Sequence, residues 1–195
     1  MKDVPALPPP LAPDAHKGEA GTVLALSGCE TMPGAALLAA RAAQRGGAGL
    51  VAQGCLDANL LLLVPLAAPE AVLVDLSECF DRSGRVLADA RARLLERRAT
   101  SVLVGPGLGG GARTRALVEL ALELFCVPLV LDADALNVFA GEPERLRAAR
   151  APLVLTPHPG EAARLLGRRV GRASAERVAA ARELAQRTGA LVCLR

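Results

Sequence analysis

Three short apolar runs in this sequence each stop at residues that can hold or transform a ligand. Val102-Leu103-Val104 gives way to Gly105-Pro106-Gly107-Leu108-Gly109, and Leu129-Val130-Leu131 to Asp132-Ala133-Asp134-Ala135-Leu136-Asn137. Leu153-Val154-Leu155 gives way to Thr156-Pro157-His158-Pro159-Gly160-Glu161. Glycines after a strand let a ligand approach the backbone, and Gly105, Gly107 and Gly110 match by letter the G-x-G-x-x-G spacing of dinucleotide loops. Asp132 follows later than the roughly 20 positions usual for the ribose-binding acid, and the motif does not open the chain, so a plain flexible turn is the alternative. Asp132 and Asp134 are two apart and face opposite ways if the strand continues; either can cap the next helix. Neither spacing is that of a metal cluster. His158 stands between two prolines, which lack an N–H and fix φ. Such a stiff loop presents an imidazole to a ligand or uses it structurally. Glu161, in a first helical turn, either shapes the same site or complements the helix dipole. No G-x-x-x-x-G-K-[ST] loop exists, and the only lysines are Lys2 and Lys17. Nucleotide phosphates would therefore fall to backbone N–H groups, helix N-termini such as the one at Gly34-Ala35, or arginine.

The elements that must position these residues follow from the pattern. Continuous apolar runs between turn residues suit strands buried on both faces of a parallel sheet, and ligands bind such sheets beyond the carboxyl ends of the strands. Strands are predicted at Thr22–Leu26, Ala48–Gln53, Val72–Leu76, Ser101–Val104, Leu129–Leu131, Leu153–Leu155 and Ala190–Leu194. Helices are predicted at Gly34–Arg45, Arg85–Arg98 (Leu87, Ala90 and Leu94 at i, i+3, i+7) and Ala112–Phe125. Leu56–Leu63 reads as a buried helix closed by Pro65 and Pro69. A helical stretch begins near Ala135 and breaks at Gly141 and Pro143, and a short helix starts near Glu161. Ser174 is the expected N-cap of a last helix, Ala175–Arg187. The alternation predicts an α/β fold with a mostly parallel sheet, right-handed crossovers and helices on both faces.

Composition narrows the class. The chain has 195 residues, 52% hydrophobic and 22% charged, enough for one domain with a sizeable core. Only Phe80, Phe125 and Phe139 are aromatic, so that core is aliphatic. The net charge of +3 comes from arginines scattered along helices, with neither the concentrated basic face nor the stacking aromatics of a nucleic-acid binder. Five isolated cysteines, an odd number without C-x-x-C spacing, argue against a disulfide frame or zinc site and for a reducing compartment. The first residues do not read as a signal peptide, and no apolar run of about 18 residues occurs. The expected location is the cytoplasm, without a membrane partner. Residues 1–13, with Pro5, Pro8, Pro9, Pro10 and Pro13, read as an extended arm or linker, and residues 14–195 as the domain.

Taken together and in order, Asp14-Ala15-His16-Lys17-Gly18-Glu19, Pro33-Gly34-Ala35-Ala36, Gly47-Ala48-Gly49-Leu50-Val51 and the three strand-end motifs resemble the NAD(P)H-hydrate dehydratases. That family has carbohydrate-kinase-like domains of the ribokinase-like superfamily. The resemblance implies a three-layer ribokinase-like fold and a repair enzyme that returns hydrated NADH or NADPH to NAD(P)H. The co-substrate would be ADP or ATP, with Mg2+. Phosphorylating the substrate hydroxyl makes it a better leaving group, and elimination follows. By resemblance Ala35, Gly107 and His158 contact the hydrated cofactor, while Gly105, Asp132, Asn137 and Glu161 shape the same crevice.

The sequence also departs from the family. A Lys-Gly pair and a later Gly-Asp pair, which supplies the catalytic aspartate, are expected after the last strand; Arg195 stands where the lysine would be. The expectation is therefore a C-terminally truncated chain with impaired turnover, an uncovered terminal strand, a tendency to aggregate or self-associate, and no assignable catalytic residue. The resemblance further implies a companion epimerase domain in many members, which this stretch does not match, and the proline-rich start reads as the linker that would follow it. Family members often form homo-oligomers. Two alternatives stay open: a small-molecule kinase of the same superfamily, of the hydroxyethylthiazole-kinase type, and a non-catalytic nucleotide-binding protein.

Overall fold

Seven strands form one sheet in the order β3-β2-β1-β4-β5-β6-β7, and every pairing is parallel. This is the architecture of a computed structural model, which describes residues 12, 14–81, 83–87 and 89–195. The strands are β1 Thr22–Leu26, β2 Leu50–Cys55, β3 Val72–Asp75, β4 Ser101–Val104, β5 Leu129–Leu131, β6 Leu153–Leu155 and β7 Leu191–Val192. The helices are α1 Pro33–Arg45, α2 Leu60–Ala67, α3 Ala90–Leu95, α4 Ala112–Leu124, α5 Asp134–Asn137, α6 Pro159–Leu166 and α7 Ser174–Thr188. A 3-10 turn, Pro143–Ala148, joins α5 to β6. The prolines of the expected N-terminal arm lie outside the described residues.

Parallel strands need crossovers, and the crossovers bury the sheet. Residues two apart on a strand share a face, so each face has its own core. On one face Ala52, Leu24, Leu26, Val102, Val104, Leu129, Leu131 and Leu155 pack with Leu94 of α3, Leu117 and Val118 of α4, Leu165 of α6 and Leu184 of α7. On the other, Val51 and Cys55 pack with Ala36 and Ala40 of α1 and Leu60 and Val64 of α2. The alanines of α1 let its axis lie close to the strands, as the Ala-rich sequence suggests. Burying each leucine is worth about 1.5–3 kcal/mol, so the aliphatic core suffices without aromatic mass.

Cover on this second face is confined to the β1–β3 half among the described residues. One register row runs Gln53, Ala25, Leu103, Val130, Val154, Leu191 across six strands. Gln53 and Ala25 are fully buried beneath α1 and α2, Leu103, Val130 and Val154 are only partly buried, and Leu191 is 70% exposed.

Several boundaries differ from expectation for local reasons. Of the helix expected at Arg85–Arg98, only Ala90–Leu95 forms. The Asp81 carboxylate accepts from the Ser83 and Arg85 N–H groups at 2.9 Å, which holds a turn, and the Leu87 N–H then bonds the Cys79 carbonyl at 2.9 Å. Helix α2 starts at Leu60 and runs through Pro65 rather than stopping there. It is buried on one side only, since Leu62 and Leu66 are exposed. Ser174 is the first residue of α7, not its cap; Ala173 occupies the cap without a side-chain bond.

Candidate functional site

Strand order reverses between β1 and β4, the switch point at which an open parallel sheet leaves a crevice beyond its strand ends. Two loops meet there. The Gly28 N–H donates to the Pro106 carbonyl at 2.8 Å, and the Gly105 N–H to the Leu26 carbonyl at 3.0 Å. The glycines are required. Gly105 has φ +129°, and a Cβ there would lie 1.8 Å from the Asp132 carbonyl oxygen. Gly107 has φ +67°, and its Cβ would lie 2.5 Å from the Cβ of Ala35 in the first turn of α1. Ala35, Gly105, Gly107 and Asp132 are thereby brought together.

The β5 end is tightly turned. Ala133 has φ +52° and ψ −116°, a conformation that favours glycine, at the second position of a turn closed by the Ala135 N–H on the Asp132 carbonyl at 3.2 Å. Strain of this kind gathers at functional loops. Here it points the neighbouring carboxylates to different tasks. Asp134 Oδ2 accepts from the Gly109 N–H at 2.9 Å, fastening the glycine loop. Asp132 Oδ1 pairs with Arg195 Nη2 at 2.7 Å, and Arg195 Nε donates to the Thr156 carbonyl at 3.1 Å. The arginine thus spans the ends of β5 and β6. Asn137 passes the connection on: its Nδ2 donates to Asp134 Oδ1 at 3.4 Å, and its Oδ1 accepts from Arg164 of α6 at 3.0 Å.

His158 and Glu161 form the N-terminal cap of α6 and reach the other residues through Arg164 and Arg195. The Gly160 N–H donates to His158 Nδ1 at 2.9 Å, and the His158 N–H donates to Glu161 Oε2 at 2.9 Å, a reciprocal capping box. His158 Nε2 is 3.2 Å from Glu161 Oε1. With Nδ1 accepting, a neutral imidazole carries its proton on Nε2, beside the Glu161 carboxylate but not hydrogen-bonded to it. The carboxylate is buried while the imidazole is half exposed. Nδ1 is taken up by the cap, and the half-exposed ring keeps a face and the Nε2 edge open.

Sequence reasoning missed a third layer. Asp57, in the loop after β2, pairs with Arg113 of α4 at 2.6 Å and accepts from the Glu30 N–H at 2.7 Å. These residues lie far apart in the chain and belong to no motif. Cavity size does not reveal the crevice either. Clefts of about 520 and 530 Å³ lie along α4, lined by Arg91, Glu119 and Glu123 in one and by Leu122, Phe139 and Arg145 in the other. None of the strand-end residues lines either cleft. No described helix is long and apolar enough to cross a membrane.

Comparison with known proteins places the chain among relatives of one kind. A bifunctional NAD(P)H-hydrate repair enzyme of Moorella thermoacetica is 39% identical over 189 residues, covering 92% of this chain and 34% of that protein. An ADP-dependent (S)-NAD(P)H-hydrate dehydratase of Neisseria meningitidis is 39% identical over 187 residues, covering 94% of this chain and 58% of that protein. The crystal structure of an ADP/ATP-dependent NAD(P)H-hydrate dehydratase from Bacillus subtilis, co-crystallised with ATP and Mg2+, superposes with a TM-score of 0.76 at 30% identity, covering 96% of this chain and 62% of that one. The chain therefore spans between about a third and three fifths of the length of these relatives. The fold at the switch point is the ribokinase-like one of these structures, and the profile of a single family matches residues 23–195. On that match the chain belongs to the NAD(P)H-hydrate dehydratase family.

Proposed function

We propose that the crevice binds the hydrated form of NADH or NADPH and serves its dehydration back to the reduced cofactor, with ADP or ATP as co-substrate. One observation carries the reading: Gly105 and Gly107 pack against Asp132 and Ala35 with no room for a Cβ, so backbone forms the crevice floor beside a helix N-terminus. A Cβ at Gly110 or Gly111 would meet nothing within 4 Å. The start of α4 is therefore open to an anion, as a diphosphate requires.

Each residue then has a task. Ala35 and Gly107 set the floor. Asp132 holds the Arg195 guanidinium at the strand ends, where a phosphate would meet it. Asp134 and Asn137 brace the glycine loop. Glu161 fixes the His158 ring, whose exposed face fits against a flat nicotinamide. The nucleotide supplies the phosphoryl group that makes the substrate hydroxyl a leaving group. Among the described residues no group of three or more His, Cys, Asp or Glu could hold a metal, and no step is assigned to a protein-bound ion. The reading includes a cytoplasmic location and assigns residues 14–195 to the dehydratase domain.

The test is calorimetric titration of the chain with hydrated NADPH, then turnover with ADP and with ATP followed by the reduced-nicotinamide absorbance. Binding that His158→Ala weakens is expected. Absence of binding by the unaltered chain would overturn the reading, and a phosphorylated product without recovered absorbance would assign small-molecule kinase chemistry instead.

A further inference from the structure

We propose that the Asp57–Arg113 ion pair is a positioning device that sets the width of the crevice; the inference rests on the dinucleotide reading above. Asp57 is neither in a strand-end motif nor in contact with the glycine loop, yet its carboxylate is fully used. Oδ2 accepts from the Glu30 N–H at 2.7 Å, and Oδ1 accepts from Arg113 Nη2 at 2.6 Å. Arg113 Nη1 donates to the Leu56 carbonyl at 3.3 Å, so the guanidinium grips both the side chain and the backbone of the same loop. The pair is largely withdrawn from water, with 18% of the Asp57 side chain and 34% of the Arg113 side chain exposed.

The three segments it joins are those that frame the crevice. Glu30 lies in the β1–α1 loop just before Pro33 starts α1, and Arg113 is the second residue of α4, directly after Gly110-Gly111. The loops are anchored at their base by the Gly28–Pro106 bond. Further along they meet where Gly107 lies against Ala35 and Met32, with no hydrogen bond from Gly107 to either. Packing there limits how closely the loops approach, and an attractive link beyond the Gly28–Pro106 bond at their base limits how far they part. Asp57 supplies that link by holding one loop through its backbone and the other through its helix. Because Arg113 and Glu30 bond the same carboxylate rather than each other, the ion pair's effect on the β1–α1 loop runs through Asp57.

The experiment compares Asp57→Asn, Arg113→Gln, the double variant and Arg113→Lys by calorimetry with hydrated NADPH, and follows amide hydrogen exchange of both loops. If the pair acts as a unit, each of the first two variants raises Kd about tenfold and the double variant raises it no further. Arg113→Lys, which keeps the charge, recovers most of the affinity. Exchange at residues 28–32 accelerates in Arg113→Gln, although Arg113 bonds none of them. An affinity of Arg113→Gln within about twofold of the unaltered chain, or additive losses in the double variant, would overturn the proposal. If the unaltered chain does not bind hydrated NADPH, the functional reading fails on its own, and exchange decides the pair's role: unchanged protection at residues 28–32 in Arg113→Gln overturns it, and acceleration supports it.

Discussion

Replacing Gly107 with alanine tests the packing at the switch point against a built-in control three residues away. At φ +67° an alanine sits in left-handed backbone, which costs about 1–2 kcal/mol. Its Cβ would lie 2.5 Å from the Ala35 Cβ and 3.3 Å from the Cβ and carbonyl oxygen of Met32, whereas carbons settle about 3.5–4.0 Å apart. The first turn of α1 must retreat by roughly 1 Å, an overpacking that costs about 1–3 kcal/mol. The sum, about 2–5 kcal/mol, lowers the unfolding midpoint of a chain this size by on the order of 10 °C. Gly110 makes no such demand: its φ is not positive, and a Cβ meets nothing within 4 Å. Gly110→Ala should leave stability unchanged or raise it by about 0.4–1 kcal/mol, while placing a methyl group where the diphosphate is proposed to lie and so weakening hydrated-NADPH binding. Urea unfolding and calorimetric titration of both variants decide the matter. A Gly107→Ala protein within about 0.5 kcal/mol of the unaltered chain would show that the contact yields freely, and equal stability losses in the two variants would refute the distinction between them.

Other expectations concern the α6 cap, the acid limb and the thiols. Glu161→Ala removes the bond that a buried carboxylate accepts from the His158 N–H and should destabilise by about 1–3 kcal/mol; Glu161→Gln, which keeps an acceptor, should lose less, and thermal unfolding of the pair checks the order. Hydrogen bonds from Ser77 hold the Asp75 carboxyl below its ordinary 3.8, and those from Ser83 do the same for Asp81. Hydrogen bonds from Arg115 and Arg187 hold Glu142 and Glu144 below the ordinary 4.5. Groups depressed on folding contribute stability above their unfolded values and lose it as pH falls through the folded ones. The unfolding free energy should therefore drop as pH falls below about 4.5, and a flat urea midpoint there would contradict it. Burial, reinforced by nearby Asp75, pushes the Cys55 thiol up to about 12. Iodoacetamide should mark the exposed Cys126 and Cys193 and spare the buried Cys29, Cys55 and Cys79 until unfolding, as peptide mass spectrometry would show.

The strands were the most legible part of the chain because burial on both faces leaves a plain mark: Thr22–Leu26, Ser101–Val104, Leu129–Leu131 and Leu153–Leu155 form where their apolar runs stand. Periodicity misled at Leu87, whose spacing from Ala90 and Leu94 is helical. Its N–H is instead taken by Cys79, and no window of sequence shows a bond made across a turn. At the crevice, residue types marked the backbone positions, Gly105 and Gly107, because only glycine fits there. They did not show that His158 Nδ1 is taken by the Gly160 N–H with Nε2 lying beside Glu161, since that depends on how the chain enters α6. Nor could they pair Asp57 with Arg113 or Asp132 with Arg195, which are brought together only by the strand order.

The row from Ala25 to Leu191 bears on how this chain behaves at high concentration. Leu103, Val130 and Val154 lie in register beside a strongly exposed Leu191, so water meets a strip of sheet already arranged for contact. Apolar attraction weakens on cooling and strengthens in sulfate. Light scattering should accordingly show particles that grow on warming or on adding ammonium sulfate and shrink again on chilling. Val130→Thr, which keeps a β-branched side chain and adds a hydroxyl, should blunt that response without altering the crevice.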